Sequence, residues 1–244
     1  MVNERLKSDL QSLGIKKTDT LLMHSSLSSL GYVEGGADTV IDTLLSLLSE
    51  GTLLMPTLSY VSVTPEQSEF SSRETKSCVG CIGETFRKRE GVIRSLHPTH
   101  SVAGTGRLAR ELLLKHKESD TPVGEFSPFA LLPKVKGKIL MLGCGLRPNT
   151  SMHGVEEKSV PPYLFAKESV AYTLIDEKGE KTEKTYRVHG FNGVIQRYDR
   201  LSELMVIPSG KVLSATAYLI DAEEMWETAH EKLLKDPLFF VDKA

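Results

Sequence analysis

The chain has 244 residues, of which 40% are hydrophobic and 25% are charged, and its formal net charge at pH 7 is -2. A chain of this length can form one large α/β domain or two small ones, and it can bury a substantial core. The nearly balanced charge excludes the basic surface of a general nucleic-acid-binding protein. No stretch approaches the roughly 18 consecutive apolar residues of a membrane span, and the N-terminal residues lack the apolar core of a signal peptide. We therefore expect a cytoplasmic protein with neither a nucleic-acid nor a membrane partner.

The first predicted elements alternate between helix and strand. Leu6, Leu10 and Leu13 recur at a spacing near 3.6 residues, which predicts a helix over residues 3–13 that ends at Gly14. A short apolar strand over residues 20–23 comes next, followed by an amphipathic helix through residues 40–48 and a second strand over residues 52–55. A strand, a helix and a strand of these lengths predict a βαβ unit with two parallel strands.

Polar residues stand where both of these strands end. His24, Ser25 and Ser26 follow the first strand, and Thr57 follows the second. Ligands of parallel sheets bind outside the carboxyl ends of the strands. Serine hydroxyls and free backbone N–H groups there can bind phosphate oxygens, although serines that only cap the following turn explain the pattern equally well.

The middle of the chain is loop-rich. The polar stretch over residues 61–77 predicts a long surface loop or lid. His97 and His100 flank Pro98 and Thr99, so they are either metal ligands or parts of a loop whose backbone amides face a ligand. Because no carboxylate or cysteine lies within a few residues and Pro98 restricts the backbone, we favour the loop.

Three cysteines, Cys78, Cys81 and Cys144, are too few for a disulfide framework. Cys78 and Cys81 have the C-x-x-C spacing of a redox pair or of half a zinc site, but no second pair lies at zinc-finger spacing. Cys144 lies between two glycines without the G-x-S-x-G pattern of a nucleophile. We expect all three to be structural or incidental, and the protein to need no metal.

Residues 138–157 hold the clearest candidate for chemistry. An apolar run over residues 139–142 predicts a buried strand, and a loop with glycine and proline follows it. If a helix begins near Thr150, His153 lies in its first turn and Glu156 lies three residues further on the same face. A histidine beside a carboxylate can act as a general base, although a histidine on a helix is often structural. We predict His153 as the base and Glu156 as the carboxylate that orients it.

The last third of the chain is rich in strand patterns. Apolar alternation over residues 169–175 and 185–188 around a turn at 176–179 predicts an antiparallel hairpin, and residues 211–217 predict another strand. An amphipathic helix is expected over residues 221–234, with Asp221 as its N-cap. The predicted fold is a single α/β domain over residues 1–244. Its central mixed, largely parallel sheet is flanked by helices, and a small β-rich embellishment lies in the C-terminal third.

Six short segments occur in a fixed order between about residues 20 and 160. They are HSSLSSLG at 24–31, GTLLMPT at 51–57, SCVG at 77–80, GVIRSLHPTHSVA at 91–103, GEFSPF at 124–129 and NTSMHGVE at 149–156. In this combination the chain resembles the aminoglycoside N(3)-acetyltransferase family of antibiotic-modifying enzymes. Beyond about residue 165 the resemblance ends, so it implies no role for His189.

The resemblance implies an α/β fold, acetyl-CoA as co-substrate and an amino group as acceptor, with no metal. It implies that His153 is the general base and that Glu156 is its carboxylate. Two loops are implied to bind the CoA moiety: Ser25, Ser26, Leu27 and Ser28 in one, and Ser101, Val102 and Ala103 in the other. His24, Thr57 and Asn149 are expected to face the acceptor.

The expected reaction is direct attack, in a ternary complex, by the 3-amino group of a 2-deoxystreptamine aminoglycoside. Such a polycation calls for carboxylates, and the loop over residues 61–77 supplies Glu66, Glu69 and Glu74 together with two basic residues. A different small amine stays open as the acceptor. Two further hypotheses are a non-catalytic CoA-binding protein and a metal-dependent hydrolase that uses His24, His97, His100 and His153. The oligomeric state is left open by the sequence.

Overall fold

The computed structural model describes residues 2–244. Its helices are α1 Glu4–Ser12, α2 Gly36–Leu47, α3 Cys81–Phe86, α4 Ala109–Leu113, α5 Pro128–Leu131, α6 Ser151–Ser159 and α7 Ala222–Lys235. Its strands are β1 Thr20–Ser25, β2 Thr52–Pro56, β3 Glu69–Ser71, β4 Ile93–Arg94, β5 Val102–Gly106, β6 Lys138–Leu142, β7 Phe165–Ile175, β8 Lys181–His189, β9 Val194–Gln196, β10 Ser209–Val212, β11 Ala215–Asp221 and β12 Val241–Lys243. Within these residues, no helix has the length and apolar character needed to cross a membrane.

A seven-stranded mixed sheet in the order β10-β11-β6-β1-β2-β5-β4 organises the chain. β1 lies at its centre and is parallel to both β2 and β6, which confirms the predicted βαβ unit. The other neighbouring pairs, β10–β11, β11–β6, β2–β5 and β4–β5, are antiparallel. The sheet is therefore mixed as predicted, but the expectation of a largely parallel sheet is wrong outside its centre. β4 and β5, and likewise β10 and β11, follow one another through short connections, which reverse the chain and cannot make the long crossover of a parallel pair. The pairs β2–β5 and β6–β11 are antiparallel although long segments of the chain separate their strands.

Helices cover both faces of this sheet. Side chains alternate along each strand, so Leu21 and Met23 of β1 pack with α1, α2 and α3 on one face. Leu22, between them, packs with α4, α5, α6 and α7 on the other face. Each fully buried Leu or Met contributes about 1.5–3 kcal/mol of transfer free energy, so the two apolar layers hold the sheet in place. The edge at which β1, β2 and β6 end lies between these layers.

Two predicted helix starts are confirmed by their caps. The Asn3 side chain accepts a hydrogen bond from the Leu6 N–H at 2.9 Å, just before α1. Asp221 accepts one from the Glu224 N–H at 3.0 Å, just before α7. Both caps satisfy backbone N–H groups that have no partner inside the helix.

The β-rich embellishment of the C-terminal third is also confirmed. β7 and β8 form the predicted antiparallel hairpin, and β3 joins it parallel to β7. The stretch over residues 61–77 is thus not only a loop, because its one large apolar side chain, Phe70, is buried against Tyr172 and Tyr186. The strand predicted over residues 211–217 is two strands, β10 and β11, because Leu213 and Ser214 form a tight turn between them.

Close packing fixes α6 against α7. A Cβ atom at Gly154 would lie 2.5 Å from the indole ring of Trp226, so a larger residue would push the two helices apart. The neighbouring side chains Met152 and Val155 are fully buried in the same layer. α6 is therefore held rigidly, with its remaining face directed toward the edge at which the parallel strands end.

Candidate active site

α6 brings together the two residues that the sequence predicts as catalytic. Nδ1 of His153 lies 3.0 Å from Oε2 of Glu156, and the Glu156 side chain is fully buried. The contact follows from the local geometry, because residues three apart on a helix lie on the same face. His153 itself is slightly exposed and lies on the wall of a cavity.

Two tyrosines from outside α6 complete the surroundings of Glu156. The Tyr198 hydroxyl donates to Oε2 of Glu156 at 2.7 Å and also lies 2.7 Å from Nδ1 of His153. The Tyr163 hydroxyl donates to Oε1 at 2.8 Å. Burial, and next the Glu156 charge, raises the pKa of both phenols, so both stay protonated and act as donors. Glu156 is thus a buried acceptor for three groups.

This arrangement selects the tautomer of His153. Because a carboxylate can only accept hydrogen bonds, Nδ1 of the neutral imidazole carries the proton and Nε2 carries the lone pair. Among residues 2–244, Nε2 of His153 has no hydrogen-bond partner. A histidine in this state can take a proton from a ligand in the adjoining cavity.

Three neighbouring cavities that share wall residues lie along the sheet edge, and together they are called the cleft. The first, of about 820 Å³, contains His153 in its wall. The second, of about 230 Å³, lies where β1, β2 and β6 end and shares Leu58, Val79 and Cys144 with the first. The third, of about 570 Å³, shares Ser25 and Gly80 with the second. The cleft therefore runs from His153 past the carboxyl ends of the parallel strands, where α/β sheets bind ligands.

Most of the predicted site residues lie along this cleft. Ser25, Ser26, Leu27 and Ser28 line the third cavity. His24 lines the second, and burial lowers its pKa to about 3, so its ring is neutral. Asn149 lines the first cavity, although its Nδ2 atom also lies 3.2 Å from Sδ of Met225.

Besides Glu156, four predicted residues are not on the cleft walls. Thr57 and Ser101 are fully buried, and their hydroxyls contact each other and Nε of Arg94 at 3.0–3.1 Å. Val102 and Ala103 are fully buried core residues of β5, whose backbone pairs with β2 on one side and β4 on the other. Their backbone and side-chain groups are already used within the protein. Their position gives no support to the expected contacts of Ser101, Val102 and Ala103 with CoA, or of Thr57 with the acceptor.

A second histidine–glutamate pair lies beside the first, and no pattern in the sequence predicts a role for it. Nε2 of His189 lies 2.7 Å from Oε1 of Glu157, and the His189 ring is 5.1 Å from that of His153. Burial lowers the pKa of His189 although Glu157 opposes this shift. Apart from the position of Glu157 next to Glu156, no sequence signal pointed to this pair or to Tyr198.

The other buried histidines pack against one another. The His97 ring stacks on that of His116 at 4.6 Å, and Nδ1 of His97 accepts the His100 backbone N–H at 3.0 Å. Burial, with smaller effects of neighbouring histidines, lowers the pKa of His97 and His100 well below the usual range. Across residues 2–244, no group of three His, Cys, Asp or Glu side chains is arranged to hold a metal ion, so the hydrolase hypothesis has no supporting site.

The cysteines differ in exposure. Cys78 and Cys81 are free and exposed on the surface. Cys144 lies in the wall shared by the first and second cavities, and burial raises its pKa to about 11. The Cys144 thiol is therefore protonated at neutral pH and is a poor nucleophile.

The fold and the sequence segments together define the class of the protein, an α/β acyltransferase. A family model described as aminoglycoside 3-N-acetyltransferase matches residues 22–234. The chain belongs to this aminoglycoside 3-N-acetyltransferase family, which confirms the resemblance noted in the six segments.

Individual relatives agree with this assignment. The chain is 30% identical over 252 residues to the SPbeta prophage-derived aminoglycoside N(3')-acetyltransferase-like protein YokD of Bacillus subtilis, covering 93% of this chain and 90% of the relative. It is 32% identical over 256 residues to aminoglycoside N(3)-acetyltransferase VIII of Streptomyces fradiae, covering 91% and 87%. The crystal structure of YokD superimposes with a TM-score of 0.83 at 28% identity, covering 96% of this chain and 98% of YokD. A variant of the aminoglycoside acetyltransferase AAC(3)-IVa, solved in complex with a gentamicin, superimposes with a TM-score of 0.82 at 26% identity, covering 97% and 90%.

Proposed function

We propose that the protein transfers the acetyl group of acetyl-CoA to an amino group of a small-molecule acceptor, with His153 as the general base. The attack is direct and takes place in a ternary complex. The observation that carries this proposal is the contact of 3.0 Å between Nδ1 of His153 and Glu156, which leaves Nε2 with a lone pair at the wall of the cavity of about 820 Å³.

The chemistry follows from these groups. An amine is protonated near neutral pH and cannot attack a thioester until it has lost one proton to water. Nε2 of His153 then takes a second proton from the same nitrogen as the C–N bond forms. Glu156 stabilises the resulting imidazolium. When the tetrahedral intermediate collapses, the C–S bond breaks, and His153 returns the proton to the CoA sulfur. A base held in this way contributes about 10²- to 10⁴-fold to the rate, and positioning of the two substrates supplies much of the rest.

The residues along the cleft suit acetyl-CoA chemically. The third cavity carries the hydroxyls of Ser25, Ser26 and Ser28, which can donate to pantetheine and phosphate oxygens. The second cavity shares wall residues with this cavity and with the one that contains His153. A thioester held along this path brings its acetyl carbon to the cavity in which the base lies.

The acceptor has two candidates. The names of the relatives, and the complex of the AAC(3)-IVa variant with a gentamicin, support the 3-amino group of a 2-deoxystreptamine aminoglycoside. A different small amine is the second candidate. This second candidate is favoured because, among residues 2–244, no Asp or Glu lines the cavity that contains His153.

The test measures CoA release from acetyl-CoA for the wild type, His153→Ala and Glu156→Gln, with acetyl-CoA binding followed by calorimetry. We expect His153→Ala to lower turnover by about 10²- to 10⁴-fold and to leave acetyl-CoA binding unchanged. Glu156→Gln should fall between this variant and the wild type. Wild-type turnover in His153→Ala would overturn the role of the base. Binding of acetyl-CoA without turnover of any amine would favour the non-catalytic CoA-binding hypothesis.

A further inference from the structure

We infer that His189, oriented by Glu157, is a second proton acceptor of the active site and takes the first of the two protons that the acceptor amine loses. This inference rests on the proposed function and assigns a further residue to the same reaction. It is carried by the contact between His189 and Glu157, by the buried Nδ1 atom of His189, and by the position of the His189 ring beside His153.

One nitrogen of the His189 ring has no partner within residues 2–244. Nε2 of His189 lies 2.7 Å from Oε1 of Glu157, and because a carboxylate only accepts hydrogen bonds, Nε2 carries the proton and Nδ1 carries the lone pair. Nδ1 is buried and makes no hydrogen bond to these residues. A buried polar atom without a partner costs about 1–3 kcal/mol. A ligand that donates a hydrogen bond to Nδ1 removes this cost.

Glu157 is itself fixed in position. Its Oε1 atom accepts the Val123 N–H at 2.8 Å, and its Oε2 atom accepts the Thr121 hydroxyl. The side chain of Glu157 is only 7% exposed, so little water competes for its oxygens. Glu157 therefore orients the His189 ring as Glu156 orients His153, and its charge stabilises a proton on His189.

His189 and His153 lie side by side in the wall of the cavity of about 820 Å³. Their ring centres are 5.1 Å apart, and the Phe191 ring packs against both, at 4.9 Å from His153 and 5.0 Å from His189. A hydrogen bond to an amine spans about 3 Å, so one amine nitrogen between the rings can contact Nε2 of His153 and Nδ1 of His189. The two histidines can therefore accept protons from the same nitrogen in turn.

The charges around His189 permit this role. Burial lowers the pKa of His189, although Glu157 opposes this shift, so the ring is neutral near pH 7 and can accept a proton. The negative charges of Glu157 and Glu156 favour the protonated ring. Arg147 lies in the same cavity wall but is exposed to solvent, which screens its charge. Protonation of the neighbouring histidines would oppose that of His189, and these are His97, His100 and His153.

A second acceptor solves a problem of supply. An amine with a pKa like that of Lys, about 10.4, is neutral in only about one molecule in 10³ at pH 7. An amine that gives its first proton to His189 can enter the cavity in its abundant ammonium form. Its lone pair then attacks the thioester carbon, and the second proton passes to His153 and on to the CoA sulfur. The first proton reaches water from His189 after the products leave.

The experiment compares His189→Gln with the wild type at pH 7.0 and pH 9.5, with gentamicin and benzylamine as acceptors and CoA release as the readout. The glutamine amide can donate to Glu157 as Nε2 does, but it cannot take a proton. We expect kcat/KM for the amine to fall about 10- to 100-fold at pH 7.0 and less than about threefold at pH 9.5, where more of the amine is already neutral. The KM for acetyl-CoA should not change. His153→Ala, the matched control, should lose turnover at both pH values.

The comparison of one variant at two pH values separates the proposed role from a structural one, because a partly misfolded preparation loses the same fraction of activity at both. An equal loss in His189→Gln at both pH values, or no loss at pH 7.0, would overturn the role of His189 and leave the acetyltransferase function in place. Absence of wild-type turnover with both amines would overturn the proposed function. Nitrogen-15 NMR tests His189 independently of turnover. We expect the proton of its neutral ring on Nε2, and a proton on Nδ1 would overturn the inference.

Discussion

The hydroxyl of Tyr198 lies 2.7 Å from Nδ1 of His153 and donates to the same carboxylate oxygen, Oε2 of Glu156, that Nδ1 contacts. Tyr198 comes from the 3₁₀ segment Tyr198–Glu203, which follows the β-rich embellishment, whereas His153 and Glu156 come from α6. The imidazole is therefore oriented by two parts of the chain. Any change that moves Tyr198 should alter the position of the His153 imidazole.

Tyr198→Phe and Tyr163→Phe form a matched pair that tests this orientation. Each removes one hydrogen bond to Glu156, but only Tyr198 also contacts His153. We expect Tyr198→Phe to lower kcat about 10- to 100-fold with little change in the KM for acetyl-CoA, because a misplaced base costs rate more than binding. Tyr163→Phe should have a smaller effect on kcat.

Both variants should lose stability to a similar extent. A hydrogen bond to a charged group contributes about 1.5–3 kcal/mol, so urea unfolding should show losses of this order for each. Equal kcat values for the two variants would argue against a specific role of Tyr198 in orienting His153.

Cys144→Ala should retain turnover of the same order as the wild type. The Cys144 thiol lies on the cavity wall, but its raised pKa, about 11, keeps it protonated, and direct attack needs no acyl-enzyme. Initial-rate plots should intersect, as a ternary complex requires, and mass spectrometry of the protein mixed with acetyl-CoA should find no acetyl group on Cys144. A covalent acetyl adduct on Cys144, together with parallel initial-rate plots, would contradict the direct mechanism.

The serines predicted to bind CoA should differ in what their substitution changes, which is either the KM for acetyl-CoA or the stability of the protein. Ser26 and Ser28 line the third cavity, so Ser26→Ala and Ser28→Ala should raise the KM for acetyl-CoA and leave stability almost unchanged. Ser101 is fully buried and accepts a hydrogen bond from Arg94 at 3.0 Å, so Ser101→Ala should lower the free energy of unfolding by about 1–3 kcal/mol. A raised KM in Ser101→Ala at unchanged stability would restore its predicted role in binding CoA.

Stability should fall on acidification below about pH 6.5. Burial lowers the pKa of His24 and His116 from 6.5 to about 3, so between these values the unfolded chain binds more protons than the folded one. The stabilising contribution of each histidine is complete above the unfolded pKa and is lost as the pH falls toward the folded one. At pH 5 the loss is about 2 kcal/mol for each residue.

Urea unfolding at pH 7.5, 6.0 and 5.0 measures this loss. The variant His116→Gln should show a shallower fall in stability between pH 6.5 and pH 5 than the wild type, because one buried titrating group is removed. A free energy of unfolding that stays level down to pH 5 in the wild type would show that these rings can be protonated in the folded state.

Local patterns in the sequence determined the elements and the core of the site. The spacing of apolar residues placed α1, α2, β1 and β2, and it implied the parallel pair that β1 and β2 form. The three-residue interval between His153 and Glu156 predicted their contact, because one helical turn brings such residues to the same face. The elements and the contact between His153 and Glu156 depend on residues close in sequence, whereas the pairing of β1 with β2 was implied by the helix of suitable length between them.

Only the tertiary structure decided what surrounds that pair. Tyr198 reaches Glu156 across 42 residues, and His189 reaches Glu157 across 32. The path of the folded chain likewise decides that Ser101, Val102 and Ala103 are buried. It also decides that, within residues 2–244, no carboxylate lies in the cavity wall. Periodicity encodes which face of an element is apolar, but not which distant segment packs there. The contact between His153 and Glu156 is therefore a local property of the sequence, and the orientation of His153 and the adjoining cavity are properties of the fold.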